Sequence, residues 1–275
     1  MIELGKISHL RVLKTVPHGV YLDGDNLGEI LLPTRYVPNG CEVDDNVKVF
    51  IYRDSSDLLI ATTETPKVMV GEAAHLKVSQ INKIGAFLDW GLMKDLLVPF
   101  SEQSKPMEEG KYYVAYVYVD NSDRIVASTK LSNFLSEESF YFKPKQAVNM
   151  LICGRSDMGY KAVVNGTHLG LIFKDEVIRP LRLGQELKGY IKNIREDKRI
   201  DLCLQFNGQE ARDELSEIIL KDLKACDGVS TLTDKSDPKE IFARFKVSKS
   251  NYKRALGVLY KQKLIVIEKH QITLV

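Results

Sequence analysis

The sequence predicts a mainly β chain of three tandem five-stranded closed barrels, ending in a smaller α+β module. A repeated motif carries the first part of that prediction. PHGVYLDGD (Pro17–Asp25) returns as KIGAFLDWG (Lys83–Gly91) and more faintly as DMGYKAVVNG (Asp157–Gly166). A second motif follows each copy: VKVFIYRDSSDLLIATT (Val47–Thr63), YYVAYVYVDNSDRIVAST (Tyr112–Thr129) and LKGYIKNIREDKRIDLCL (Leu187–Leu204). Two motifs recurring in one order at similar spacing mean tandem copies of one small domain. The other part rests on a change of character after Gln205, where helical spacing replaces strand-like runs.

Within each copy the segments read as strands. In KVSQINKIGAFLDWG (Lys77–Gly91), Val78, Ile81, Ile84, Phe87 and Leu88 are mostly β-formers punctuated by glycine. Gly19 and Gly85 sit inside strand-like runs, where glycine predicts a sharp bend or a bulge. DGDNLG (Asp23–Gly28) has a hairpin-turn composition. Each unit has room for about five short strands, which suits a small closed barrel. The expected units are 1–64, 67–132 and 146–206. NFLSEESFYFKPKQ (Asn133–Gln146) interrupts the pattern and reads as a linker with a helical turn.

The last module, 208–275, begins with GQEARDELSEIILKDLKAC (Gly208–Cys226), which places Leu215, Ile218, Ile219 and Leu223 at helical spacing. A second helix starts at SDPKEIFARF (Ser236–Phe245). There Asp237 is the expected N-cap, Pro238 suits the first helical position, and Glu240 resembles a capping-box partner. Ser248 caps a third helix, SKSNYKRALGVLYKQK (Ser248–Lys263), with Tyr252, Leu256 and Leu259 facing inward. LIVIEKHQITLV (Leu264–Val275) reads as a hairpin turning near Lys269–Gln271. Three helices and a hairpin predict a winged helix-turn-helix.

Composition bounds the function. The chain has 275 residues, 44% hydrophobic and 28% charged, with a net charge of +2. That small sum hides a gradient: roughly −4 over 1–64, zero over 67–132, +5 over 143–206 and +7 over 238–275. A polyanion would therefore meet the C-terminal half first. The opening residues MIELGKISHL show no secretory pattern, and no apolar run approaches the roughly 20 residues of a membrane helix. A cytoplasmic chain without a membrane partner is the expectation. Cys41, Cys153, Cys203 and Cys226 form no CxxC pair and read as reduced thiols.

Catalytic and metal signals are weak. DGDNLGE (Asp23–Glu29) resembles a calcium loop, but Leu27 stands where an oxygen ligand belongs and no glutamate follows at the right offset. There is no phosphate-loop or HExxH motif, and the histidines do not cluster in sequence. No nucleophile stands out with its base, so neither catalysis nor a cofactor or metal is expected.

The three repeats resemble the S1-type RNA-binding domain, an oligonucleotide-binding (OB-fold) barrel, with KIGAFLDWG the best copy of its first motif. Three such barrels followed by a winged helix resemble the bacterial conserved virulence factor B family over nearly the whole chain. The S1 resemblance implies base stacking on residues just before and two after the glycine of the second strand. These positions hold His18 and Tyr21, then Ile84 and Phe87, then Met158 and Lys161, with Tyr160 one place early. An arginine near the fifth strand maps to Arg124 and Arg199, and to Leu58 in the first repeat. The family's histidine site holds Pro33, Pro99 and Phe173. No repeat keeps the full set, which leaves room for a barrel that serves as spacer or protein contact.

Lys192 and Arg195, near Arg199, favour the third barrel for RNA. Lys249, Lys253, Arg254 and Lys261 lie on the expected recognition helix, where such residues meet phosphates or base edges. A barrel tyrosine or phenylalanine serves equally well in a core. The expected function is a non-catalytic, post-transcriptional regulator that binds single-stranded RNA through barrel 3 and the winged helix. Two other classes fit the same residues: a scaffold whose degenerate barrels bind ribosomal or regulatory proteins, and a transcription factor that uses the winged helix on duplex DNA.

Overall fold

The computed structural model describes the whole chain except Ile178, Arg179, residues 205–208 and Lys269, together with the side chains of residues 209–214. The expected junction between the third barrel and the last module, at 206–208, and the turn at Lys269 lie outside the described residues. The chain divides into two compact units, Met1–Ser136 and Glu137–Val275.

The first unit holds two closed barrels. Strands β1 (Ile7–Val16), β2 (Gly19–Asp23), β3 (Glu29–Pro33), β4 (Asn46–Arg53) and β5 (Leu59–Thr62) close in the order β1-β2-β3-β5-β4. Strands β6 (Ala73–Ile81), β7 (Gly85–Asp89), β8 (Leu96–Pro99), β9 (Tyr112–Val119) and β10 (Ile125–Ser128) repeat that topology. Alternation decides which side chains turn inward. Val20, Leu22, Ile30 and Leu32 are buried in the first barrel, and Leu76, Val78, Ala86 and Leu88 in the second. The two barrels share apolar packing. Phe50 and Tyr52 on β4 join the core of the second barrel, with Phe50 edge-on to Trp90 at 5.6 Å.

The second unit begins with a third barrel. Strands β11 (Ala147–Arg155), β12 (Gly159–Val164), β13 (His168–Phe173), β14 (Glu186–Ile194) and β15 (Ile200–Cys203) close in the same order. The expected linker is more ordered than its composition suggests. A 3-10 turn at Leu131–Asn133 belongs to the first unit. From Glu137 onward the segment packs on barrel 3, where Phe142 enters the core and Glu138 bridges to Arg199.

The winged helix follows, with α1 (Gln209–Ala225), β16 (Val229–Ser230), α2 (Pro238–Phe245), α3 (Lys249–Lys261), β17 (Ile265–Ile267) and β18 (Ile272–Leu274). The Asp237 carboxylate accepts from Lys239 N–H at 2.7 Å, and Ser248 Oγ accepts from Asn251 N–H at 3.3 Å, so both caps form at the expected residues. Tyr252, Leu256 and Leu259 are buried against Leu215, Ile219 and Leu223, whereas Ile218 faces solvent. The wing has a strand that the sequence did not suggest: β16 pairs with β18, giving the order β16-β18-β17.

The motif glycines have a different role from the one expected. The bulge sits on the preceding strand of each barrel, between Val12 and Lys14, between Val78 and Gln80, and between Ile152 and Gly154. The glycine opens the next strand, where the third strand passes against its Cα. A Cβ at Gly85 would lie 2.2 Å from the Val98 carbonyl oxygen; Gly19 and Gly159 meet Leu32 and Ile172 in the same way, at 2.1 and 2.0 Å. Backbone cannot yield as a flexible side chain can. Gly85→Ala is expected to lower the stability of the first unit by about 1–3 kcal/mol. Trp90, the single tryptophan, reports this as a lower urea midpoint; an unchanged midpoint would contradict the steric account.

Candidate nucleic-acid interface

The outer face of barrel 3 is set by strand alternation. Tyr160 and Ala162 on β12 and Ile172 on β13 turn into the core, so Lys161, Leu171 and Phe173 turn outward. Tyr160 is 7% exposed and packs in that core. This corrects the expectation that its ring lies on the surface: a buried ring offers no face to a base. Lys161, one residue on, is the exposed neighbour.

A groove of about 210 Å³ runs along this face, lined by Met158, Lys161, Leu171, Arg195 and Arg199, with Glu137 on its wall. Met158 is half exposed and supplies a soft apolar surface. Arg199 stands on the turn between β14 and β15 with its side chain 59% exposed, 3.5 Å from Glu137 and 3.8 Å from Asp197. Arg195 is held more firmly, its Nε donating to Asp201 at 2.7 Å, and that bond pushes the guanidinium pKa further up. The Arg195 guanidinium and the Lys192 ammonium lie 5.4 and 5.7 Å from the centroid of the Phe173 ring. Phe173 occupies the position where S1 domains carry histidine.

Beyond Phe173 the surface continues into the winged helix through one buried carboxylate. Glu176 follows β13 in a 3-10 turn and is 4% exposed. Its Oε1 meets Lys192 Nζ at 2.5 Å, accepts from Ser250 Oγ at 2.8 Å and lies 3.7 Å from Arg254. Ser250 and Arg254 belong to α3. Three groups from two modules therefore converge on one anion, joining the α3 N-terminus to barrel 3. Nothing in the sequence marks Glu176 for this role, because its partners lie far from it in the chain.

The remaining expected residues spread along α3 and across the first unit. Lys249 donates to the Ser236 carbonyl at 2.8 Å, and Lys253 lies 3.8 Å from Asp234 with its side chain 51% exposed. Lys261 is exposed in the last turn, about 18 Å along the helix from Lys249. In the first unit Tyr21 is half-buried beneath Lys14, whose ammonium lies 4.8 Å from the ring, with His18 edge-on at 6.3 Å. Phe87 is half-buried on β7, and Arg124 forms a two-point pair with Asp120 at 3.1 and 3.2 Å. Lys192, Arg195, Arg199 and Arg254 are thus brought into one neighbourhood of the second unit, while Tyr21, Phe87 and Arg124 belong to the other unit.

Burial pushes the Cys153 and Cys203 thiols up to about 11, away from the thiolate form that reacts. Among the described residues no group of three or more His, Cys, Asp or Glu side chains is placed to hold a metal ion. Among them, too, no helix is long and apolar enough to cross a membrane.

This architecture defines a class, tandem S1-type barrels joined to a winged helix. The S1 domain model matches residues 4–64 and 70–130, and the CvfB-like winged helix domain model matches 217–274. YitL of Bacillus subtilis (strain 168) is 30% identical over 88% of this chain and 84% of its own length. Conserved virulence factor B of Staphylococcus epidermidis is 27% identical over 98% and 94%. A solved multidomain protein with nucleic acid binding domains from Streptococcus pneumoniae is 24% identical over 99% of this chain and 98% of its own, with a TM-score of 0.42. The chain belongs to the conserved virulence factor B family.

The Glu176 junction makes a stability prediction. Glu176→Ala leaves Lys192 and Ser250 without their acceptor and is expected to cost about 2–3 kcal/mol. The described α-helices all lie in the second unit, so helical circular dichroism in urea follows this loss while Trp90 fluorescence stays unchanged. Equal helical midpoints for variant and parent would show that the junction contributes nothing.

Proposed function

We propose that this protein binds single-stranded RNA along the outer face of barrel 3 and onto the exposed side of α3, without catalysis, as a cytoplasmic post-transcriptional regulator. One observation carries the reading: the barrel-3 groove joins apolar surface from Met158 and Leu171 to the exposed cations Lys161 and Arg199. Single strands need that combination, apolar or aromatic faces for bases and cations for phosphates. The third barrel and the winged helix are also the basic parts of the chain, whereas the first barrel is acidic. The S1 model matches over the first two barrels and the CvfB-like winged helix match over 217–274 support nucleic acid as the partner class.

The packing of α3 favours this reading over duplex DNA. A recognition helix enters the major groove through its N-terminal residues. Here Ser250 and Asn251 are 7% and 4% exposed, and Ser250 donates to Glu176 of barrel 3. The N-terminal turn of α3 is therefore covered by its own chain.

Lys192 and Arg254 hold Glu176, so they are poor test positions. Lys161→Ala/Arg199→Ala removes exposed cations alone. Anisotropy titration of the full chain with labelled single-stranded RNA is expected to show about tenfold or greater weakening for this variant at low salt. The slope of log affinity against log salt should fall by about 1.4, at ~0.7 per phosphate contact. Duplex DNA should bind more weakly than the single strand. Salt-insensitive binding, or a variant equal to the parent, would reject the groove and favour the protein-scaffold reading.

A further inference from the structure

The segment joining the two units carries an aromatic run that the reading above does not use. Phe140 and Tyr141 are 79% and 60% exposed, while the next residue, Phe142, is 8% exposed and seals the foot of barrel 3. Phe140 gains little from burial, so folding does not account for its ring, and Tyr141 beside it packs on Phe142 and His168 while keeping one face in solvent. The backbone beneath them is nevertheless fixed. Ser139 N–H donates to the Lys198 carbonyl at 3.0 Å, Phe142 N–H donates to Ser139 Oγ at 3.1 Å, and Glu138 bridges to Arg199. Tyr141 is further oriented by His168. Its hydroxyl lies 3.1 Å from Nδ1, and the two rings meet edge to face at 5.1 Å. Burial lowers the His168 pKa, so the ring is neutral at ordinary pH and does not add charge here.

Cations flank this platform. Lys143 and Lys198 are exposed, and neither ammonium makes a hydrogen bond or ion pair among the described residues. Phe140 lies three residues beyond Glu137, which lines the barrel-3 groove, so at most about 10 Å of chain separates them. Exposed aromatic faces beside exposed cations, next to the barrel-3 groove, suit single-stranded nucleic acid, whose bases stack and whose phosphates attract cations.

We propose that Phe140 and Tyr141 form a second base-stacking platform for single-stranded RNA, with Lys143 and Lys198 contacting the phosphates, which extends the barrel-3 groove beyond Arg199. The proposal rests on the reading that barrel 3 binds RNA. None of the S1 motif positions supplies this platform, since it lies before the first strand of the barrel.

The test uses the full chain and RNA oligonucleotides of two lengths, about 6 and about 16 nucleotides, within the range of single-barrel site sizes. Phe140→Ala removes a ring that supports no packing, so its melting temperature should equal that of the parent. Phe140→Ala and Phe140→Ala/Tyr141→Ala are expected to weaken the long RNA by about tenfold while leaving the short RNA unchanged. Lys143→Ala/Lys198→Ala should lower the salt slope for the long RNA alone, by about 1.4. Lys161→Ala/Arg199→Ala is the control and should weaken both lengths. If that control weakens both RNAs while the aromatic variants bind the long one as the parent does, the platform is rejected and the groove stands. If the parent binds neither RNA, the groove reading fails and the platform falls with it.

Discussion

The second unit depends on one buried carboxylate with partners from two modules. Glu176 is desolvated at the end of β13, and such an anion is stable only when paired and hydrogen-bonded. Lys192 supplies charge from barrel 3, and Ser250 supplies a hydroxyl from α3. Arg254 adds a longer-range charge. Without the docked helix this site would be short of donors. The contact therefore links the conformation of barrel 3 to the position of the winged helix, and it leaves the cations not engaged there, Lys161, Arg199 and Lys253, on the surface.

The same constraint divides the basic residues by role. Charge counting over the sequence treats each lysine and arginine alike, yet their surroundings differ. Lys192 and Arg254 neutralise Glu176, and Arg195 is spent on Asp201. Among the described residues Arg199 pairs with the exposed carboxylates of Glu137 and Asp197, an interaction of at most about 1 kcal/mol that a phosphate can displace. The acidic first unit presents its own aromatic positions, Tyr21 and Phe87, where potential attracts a polyanion less. The gradient visible in the sequence points to the C-terminal half of the chain, and the structure shows which of its cations are left exposed.

Much of the fold was legible because the repeat reflects a backbone requirement. A glycine must open the second strand of each barrel where the third strand crosses it, so the motif survives even in the faint third copy. The winged helix was legible through its caps at Asp237 and Ser248 and the inward spacing of Tyr252, Leu256 and Leu259. Strand β16 was not, since two residues carry no period. Tyr160 was placed on the wrong side because strand side chains alternate, and an offset of one residue exchanges core for surface. Glu176 was invisible as a junction because Lys192 reaches it only once the barrel closes, and Ser250 and Arg254 only after the helix has docked. Phe173 was noted as a departure from the S1 pattern, and in the structure its ring lies 5.4 and 5.7 Å from the Arg195 and Lys192 cations.

The central claim is that barrel 3 and α3 present one continuous surface to one RNA strand. Hydrogen exchange of the full chain, with and without a saturating single-stranded RNA, tests it most directly. The account predicts slowed exchange in β12, β13 and the β14–β15 turn together with α3, with β1–β5 unaffected. Protection confined to α3, or protection of the first barrel alone, would contradict it.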